Sequence, residues 1–155
     1  MKTEIEETVT STYIETLENI AFIFSDKIDQ GRAEDKLEQE ENFYSSSMKY
    51  SGAYQGNLKL ITEKSLCRII ADNMLGGIED ESEEILLDGL KELTNVICGK
   101  LITEIAGEEP IVDLSIPDIN SVANESIVEA IQSEDSLSFD SDGHLVVIQF
   151  DIQKD

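Results

Sequence analysis

Residues 82–106 read SEEILLDGLKELTNVICGKLITEIA, and the way this stretch must wind sets the fold. Leu86, Leu90, Leu93, Ile97, Leu101 and Ile105 recur at steps of three and four, so a helix gathers them on one side. Gly107 and Pro110 stop it. At ~100° per residue, Asp88, Glu92, Asn95 and Gly99 fall within roughly 60° of arc, opposite the apolar stripe. The stretch therefore specifies a long helix with a greasy underside and an outward polar ridge. A glycine inside a helix costs about 1 kcal/mol relative to alanine. Gly99 on the outer ridge points to another backbone or a bulky group approaching there.

Upstream, Thr62-Glu63-Lys64-Ser65 opens a second amphipathic helix through Leu66, Ile69, Ile70, Met74 and Leu75, stopped by Gly76-Gly77. Residues 79–82 form a short acidic link. Before that helix, 43–50 and 53–61 read as two strands about Ser51-Gly52, and Gly56 marks a bulge or a close backbone approach. Residues 3–24 repeat Ile5, Val9, Tyr13, Leu17, Ile20 and Phe24 at helical spacing. The polar stretch 26–42 reads as a solvated connection, partly helical at most.

Downstream, 111–116 alternates as a strand and ends at Pro117, while 118–133 fits either a short helix or an irregular excursion. Segments 136–139 and 145–152 close a hairpin around Asp140-Ser141-Asp142-Gly143. This order gives an α+β fold with a largely antiparallel sheet, expected as one domain over 1–155. The first helix also lies on the long one: Ser11-x3-Glu15-x2-Glu18 falls on Asp88-x3-Glu92-x2-Asn95, and Ile20 on Ile97. A hairpin follows each, as in a duplicated helix-plus-strands unit.

The 155 residues hold 11 Lys+Arg against 34 Asp+Glu, a formal charge of -23, which argues against nucleic acid or an anionic membrane as partner. Hydrophobic residues at 40% and charged residues at 29% are a globular balance. The longest apolar run, Ile20 to Phe24, is far short of the ~18 residues of a membrane span. The opening Met-Lys-Thr-Glu-Ile-Glu-Glu has no export-signal pattern, so a cytoplasmic location is expected. Cys67 and Cys98 have no second thiol or histidine at ligand spacing and read as free, buried thiols. With His144 as the only histidine, neither a Ser-His-Asp triad nor a histidine-rich zinc site is available, and no metal site is expected.

Asp88-x3-Glu92-x2-Asn95 with a distant Pro117 resembles the signature of the CheC/CheX/FliY family of chemotaxis phosphatases. Gly52-x3-Gly56-x-Leu58-x-Leu60, Met74-Leu75-Gly76-Gly77 and Glu92-Leu93-x-Asn95-x3-Gly99-Lys100 are similar to its single-motif CheX branch. The first helix keeps Ser11 and Glu15 but carries Glu18 where the amide belongs, so only one site is complete. The glycine usual soon after the proline is missing.

The resemblance implies a CheC-like fold and hydrolysis of the aspartyl phosphate of a CheY-type response regulator. Such an acyl phosphate is already activated, so the enzyme needs chiefly to place one water in line with phosphorus. A carboxamide both donates to and accepts from water and does not titrate, which makes Asn95 the candidate for orienting it. Glu92 is implied to pair with the regulator's active-site lysine, Asp88 to support the same ridge, and Gly99 to let the partner's loops lie close. Lys91 and Lys100 flank the ridge and can meet acids at the partner's rim. No cofactor of the chain's own is implied, since Mg²⁺ sits on the regulator. Homodimers in this family join sheets, so a homodimer is implied here, and an exposed edge near 145–152, dense in Leu145-Val146-Val147-Ile148, would suit it; the sequence does not itself name the edge strand. The competing expectation is an adaptor on the same fold that binds a response regulator or a flagellar-switch component without turnover.

Overall fold

The computed structural model describes residues 3–38, 42–76 and 82–154. In chain order the elements are α1 (Thr3–Ala21), β1 (Ser25–Ile28), α2 (Gln30–Leu37), β2 (Phe43–Gly52), β3 (Tyr54–Glu63) and α3 (Lys64–Leu75). Then follow α4 (Glu83–Ala106), β4 (Val112–Leu114), β5 (Asp118–Val122), α5 (Asn124–Gln132), β6 (Ser136–Ser141) and β7 (His144–Lys154). The strands form one antiparallel sheet in the order β1-β6-β7-β3-β2-β4, with β5 also pairing β2.

Alternation along the central strands gives the sheet two apolar faces. Leu58, Leu60, Val146, Ile148 and Phe150 pack with Val9, Tyr13 and Leu17 of α1, Leu66 and Ile70 of α3, and Leu93, Ile97 and Leu101 of α4. Their neighbours Ile61, Leu145 and Val147 face the other way and are covered by Ala33 and Leu37 of α2 and Ile127 and Ile131 of α5.

The duplicated unit is plain in the topology. Helix α1, strand β1, helix α2 and hairpin β2-β3 correspond to α4, β4-β5, α5 and hairpin β6-β7, with α3 as the link. The two hairpins meet at the β3–β7 pairing in mid-sheet, and β1 borders β6 as β5 borders β2. Each large helix is also pinned to the opposite half's strands. The Tyr13 hydroxyl lies 2.8 Å from Ser141 Oγ on β6, and Thr94 Oγ1 lies 2.7 Å from Ser46 Oγ on β2.

Several expectations are corrected. The first helix ends at Ala21, not at residue 24: Phe22 takes a left-handed φ of 56° and the Ile23 amide donates back to the Leu17 carbonyl. This is a left-handed stop built without glycine, and it leaves Phe22 and Phe24 exposed. The stretch 26–42 is not merely a connection, since it holds most of β1 and all of α2; residues 39–41 lie outside the described ones. Asp29 caps α2 by accepting from the Arg32 amide at 2.8 Å.

The third helix starts at Lys64 because Thr62 and Glu63 still belong to β3. The buried Glu63 carboxylate accepts from the Leu145 amide at 2.9 Å and lies 2.7 Å from His144 Nδ1. Gly76 closes that helix in the left-handed region at φ 77°, whereas Gly77 and residues 79–81 lie outside the described ones. Residues 118–133 resolve into β5 and α5 rather than one irregular piece. Gly56 keeps regular pairing and so makes a close approach, not a bulge: a Cβ there would lie 2.7 Å from the Tyr50 ring.

The segment 145–152 does not offer the exposed edge that would suit a sheet-joined dimer. Strand β7 is interior, flanked by β6 and β3, because its 145–148 run is apolar on both faces and both are covered. The sheet borders are β1 and the β4–β5 pair.

Candidate functional site

Helix α4 carries the ridge, and its surroundings make it stiff. Ser82 caps it by accepting from the Ile85 amide, and Glu83 and Glu84 lie at its positive end. The Tyr44 hydroxyl donates to Glu83 Oε1 at 2.6 Å; that carboxylate, with help from burial, pushes the phenol up to about 12. Gly89 presses on α3 so closely that a Cβ there would lie 2.7 Å from Ala71 Cα. Thr94 Oγ1 is also 2.7 Å from the Leu90 carbonyl, so a buried hydroxyl has partners on both helix and sheet. At the far end the Gly107 amide donates to the Thr103 carbonyl at 2.9 Å.

Leu86, Leu90, Leu93, Ile97 and Leu101 are buried as the spacing predicts, and Ile105 is half-buried. On the opposite side Asp88, Lys91, Glu92 and Asn95 are all exposed, and Gly99 is half-buried. Glu92 and Asn95 stand three residues apart on one continuous helix, so their side chains rise side by side from one face. One visiting surface can touch both.

Helix α1 runs beside α4 in the opposite direction. The Asn73 amide near the end of α3 donates to the Ala21 carbonyl at 2.6 Å, while Ala71 sits against Gly89 in the first half of α4. The end of α1 is thereby brought to the early part of α4. Ser11, Glu15 and Glu18 are exposed on α1, and Glu15 borders a groove with Gly99. The spacing on α4 singled out Gly99 but not the α1 residues across from it. Only the two-helix packing brings Thr12, Glu15 and Thr16 to that point.

The remaining reactive groups lie away from the ridge. Burial pushes the Cys67 thiol up to about 12 and Cys98 up to about 11, and both are free, which makes them poor nucleophiles at neutral pH. His144 begins β7 and is engaged with Glu63 and Ser65. Among the described residues no group of three or more His, Cys, Asp or Glu side chains is placed to hold a metal, and no helix is long and apolar enough to cross a membrane.

Residues 44–150 match the family described as chemotaxis phosphatase CheX, a span that includes the whole ridge and more than half the chain. The chain belongs to the CheX family. Solved structures agree on the fold. The chemotaxis protein CheX of Vibrio vulnificus superposes with a TM-score of 0.71 at 17% identity, covering 97% of each chain. CheX of Desulfovibrio desulfuricans gives 0.68 at 14%, covering 97% of this chain and 99% of that one. The CheX-CheY-BeF3-Mg complex of Borrelia burgdorferi gives 0.66 at 14%, covering 99% and 100%. Among curated proteins none matches the sequence. At these identities the superpositions speak for a CheC-like fold, and the family match for membership.

Proposed function

We propose that this CheX-family protein is a phosphatase that hydrolyses the aspartyl phosphate of a CheY-type response regulator, using the outward face of α4. The carrying observation is that Glu92 and Asn95 stand exposed on one face of a helix whose underside is locked into the core. Membership of a family described as a chemotaxis phosphatase, and a relative structure that holds CheX with CheY, support the choice of partner.

In the proposed step a water attacks phosphorus, the bond from phosphorus to the aspartyl oxygen breaks, and inorganic phosphate leaves with the aspartate restored as carboxylate. Asn95 holds the water by accepting a hydrogen bond from one of its O–H groups and donating an N–H to its oxygen, which removes the entropy of finding the in-line position. Glu92 pairs with the regulator's active-site lysine and sets the register of docking, with Asp88 on the same ridge. The divalent ion, Mg²⁺, belongs to the regulator and neutralises the phosphoryl oxygens. Lys91 meets acids at the partner's rim. Long-range repulsion from a charge of -23 is cut off at a Debye length of about 8 Å, so these local pairs decide association.

A homodimer is part of the proposal. With β7 interior, the border formed by β4 and β5 along β2 exposes Leu114 and Ile116, and a second copy adds there. Ile116→Glu is expected to shift sedimentation at micromolar concentration from dimer to monomer; a monomeric wild type removes this part of the proposal.

The enzyme and the adaptor readings separate in one assay. Decay of the regulator's acyl phosphate is followed with wild type and with Asn95→Ala, and a loss of about 10²-fold or more is expected, the scale of removing one positioned polar group. Equal decay leaves the adaptor.

A further inference from the structure

Beside the ridge, α1 and α4 enclose a groove of about 360 Å³, bordered by Glu15 and Thr16 on one side and Gly99, Lys100 and Glu104 on the other. Thr16 is fully buried, and its Oγ1 has no hydrogen-bond partner. A helical threonine ordinarily satisfies its hydroxyl on the carbonyl one turn back, as Thr94 does with Leu90. Leaving such a hydroxyl unpaired in the interior is unfavourable, and Thr16 lines the groove, so a group seated there that parts α1 and α4 slightly gives it a partner. Across the groove Gly99 leaves open space: a Cβ there would meet nothing within 4 Å. Packing does not require glycine at this position, and helix propensity disfavours it.

Resting on the phosphatase reading above, we infer that this groove receives one uncharged hydrogen-bonding side chain of the docked response regulator, a hydroxyl or carboxamide that pairs with Thr16. Three features select that occupant. The groove adjoins the ridge through Gly99, so whatever touches Glu92 and Asn95 also overhangs it. Its rim carries two carboxylates, Glu15 and Glu104, against the single Lys100 ammonium, which disfavours an anionic occupant. The most buried of its lining residues is Thr16, which stands with Thr12 and Thr103 in the walls; these hydroxyls are neutral, so they cannot repay the desolvation of an ion but can pair with a neutral donor or acceptor. The groove thus acts as a specificity pocket next to the water-orienting amide, and it is assembled from both halves of the duplicated fold.

The test uses the full chain and a CheY-type receiver domain loaded with beryllofluoride and Mg²⁺, with affinity measured for wild type, Thr16→Val and Gly99→Leu. Thr16→Val keeps shape and removes the hydroxyl. It is expected to melt no lower than wild type while binding about 5-fold more weakly, the worth of one net hydrogen bond. Gly99→Leu, which fills the mouth of the groove, is expected to weaken binding about tenfold or more with no loss of melting temperature. In turnover both losses appear in the half-saturating regulator concentration. Wild-type affinity in both variants overturns the inference. Asn95→Ala, read by rate at saturation, keeps the two proposals separable: if it turns over like wild type the phosphatase reading falls, while the affinities alone still decide the groove.

Discussion

Helices α1 and α4 lie antiparallel in one layer, each pinned to a strand of the other half, and each shows solvent an acidic row at the same spacing. On α4 the row is Asp88, Glu92, Asn95; on α1 it is Ser11, Glu15, Glu18. The chemical difference sits at the last position. An amide can hold a water toward an incoming phosphoryl group, whereas the Glu18 carboxylate repels that group and offers no donor. On the proposed reading the duplicated scaffold therefore carries one competent face and one that keeps the placement without the chemistry. The underside differs as well: α4 packs through Gly89 against Ala71, while the position equivalent to Gly89 on α1 is Thr12.

The sharpest way to break the comparison is to give α4 the residue of α1. Asn95→Glu is expected to cost more than Asn95→Ala, about 10³-fold in single-turnover decay, because a misplaced charge adds to the lost amide. Next in size is Gly89→Val, whose Cβ has no room against Ala71 backbone. It is expected to destabilise the fold by about 2 kcal/mol in urea melts, while Thr12→Val on α1 stays within about 1 kcal/mol. In the reverse direction, Glu18→Asn in an Asn95→Ala background recreates Glu-x2-Asn on α1. It is expected to raise turnover about tenfold over Asn95→Ala alone, about 1.4 kcal/mol of barrier. The smallest effect belongs to Thr94→Val, which leaves Ser46 without its partner and lowers stability by about 1 kcal/mol in the same melts.

The two helices also show what the amino-acid order could and could not reveal. Helix α4 was legible because Leu86 to Leu101 keep a strict helical step and Ser82 and Gly107 punctuate its ends. The polar ridge followed from the same periodicity. The end of α1 was not legible, since Phe22 sits in a left-handed conformation that sequence rules reserve for glycine, and tertiary packing of Ile23 holds it there. Strand β1 and helix α2 were missed for a similar reason. They bury little more than Ile28, Ala33 and Leu37, too few apolar positions to make a period amid so many acids. The interior place of β7 has no linear signal, because a doubly covered strand and a greasy edge look alike until α2 and α5 are known to cover its second face. Of the site, the ridge was visible on one helix, while the groove needed two helices and so had no linear signal beyond Gly99.

On the proposed reading, turnover belongs to α4 and not to its twin. The decisive experiment follows loss of the acyl phosphate from one CheY-type receiver domain with four proteins: wild type, Asn95→Ala, Ser11→Ala and Glu18→Ala. The predicted result is decay slowed about 10²-fold or more by Asn95→Ala and unchanged within about twofold by the two α1 substitutions. Decay that survives Asn95→Ala, or that fails when Ser11 or Glu18 is replaced, contradicts it.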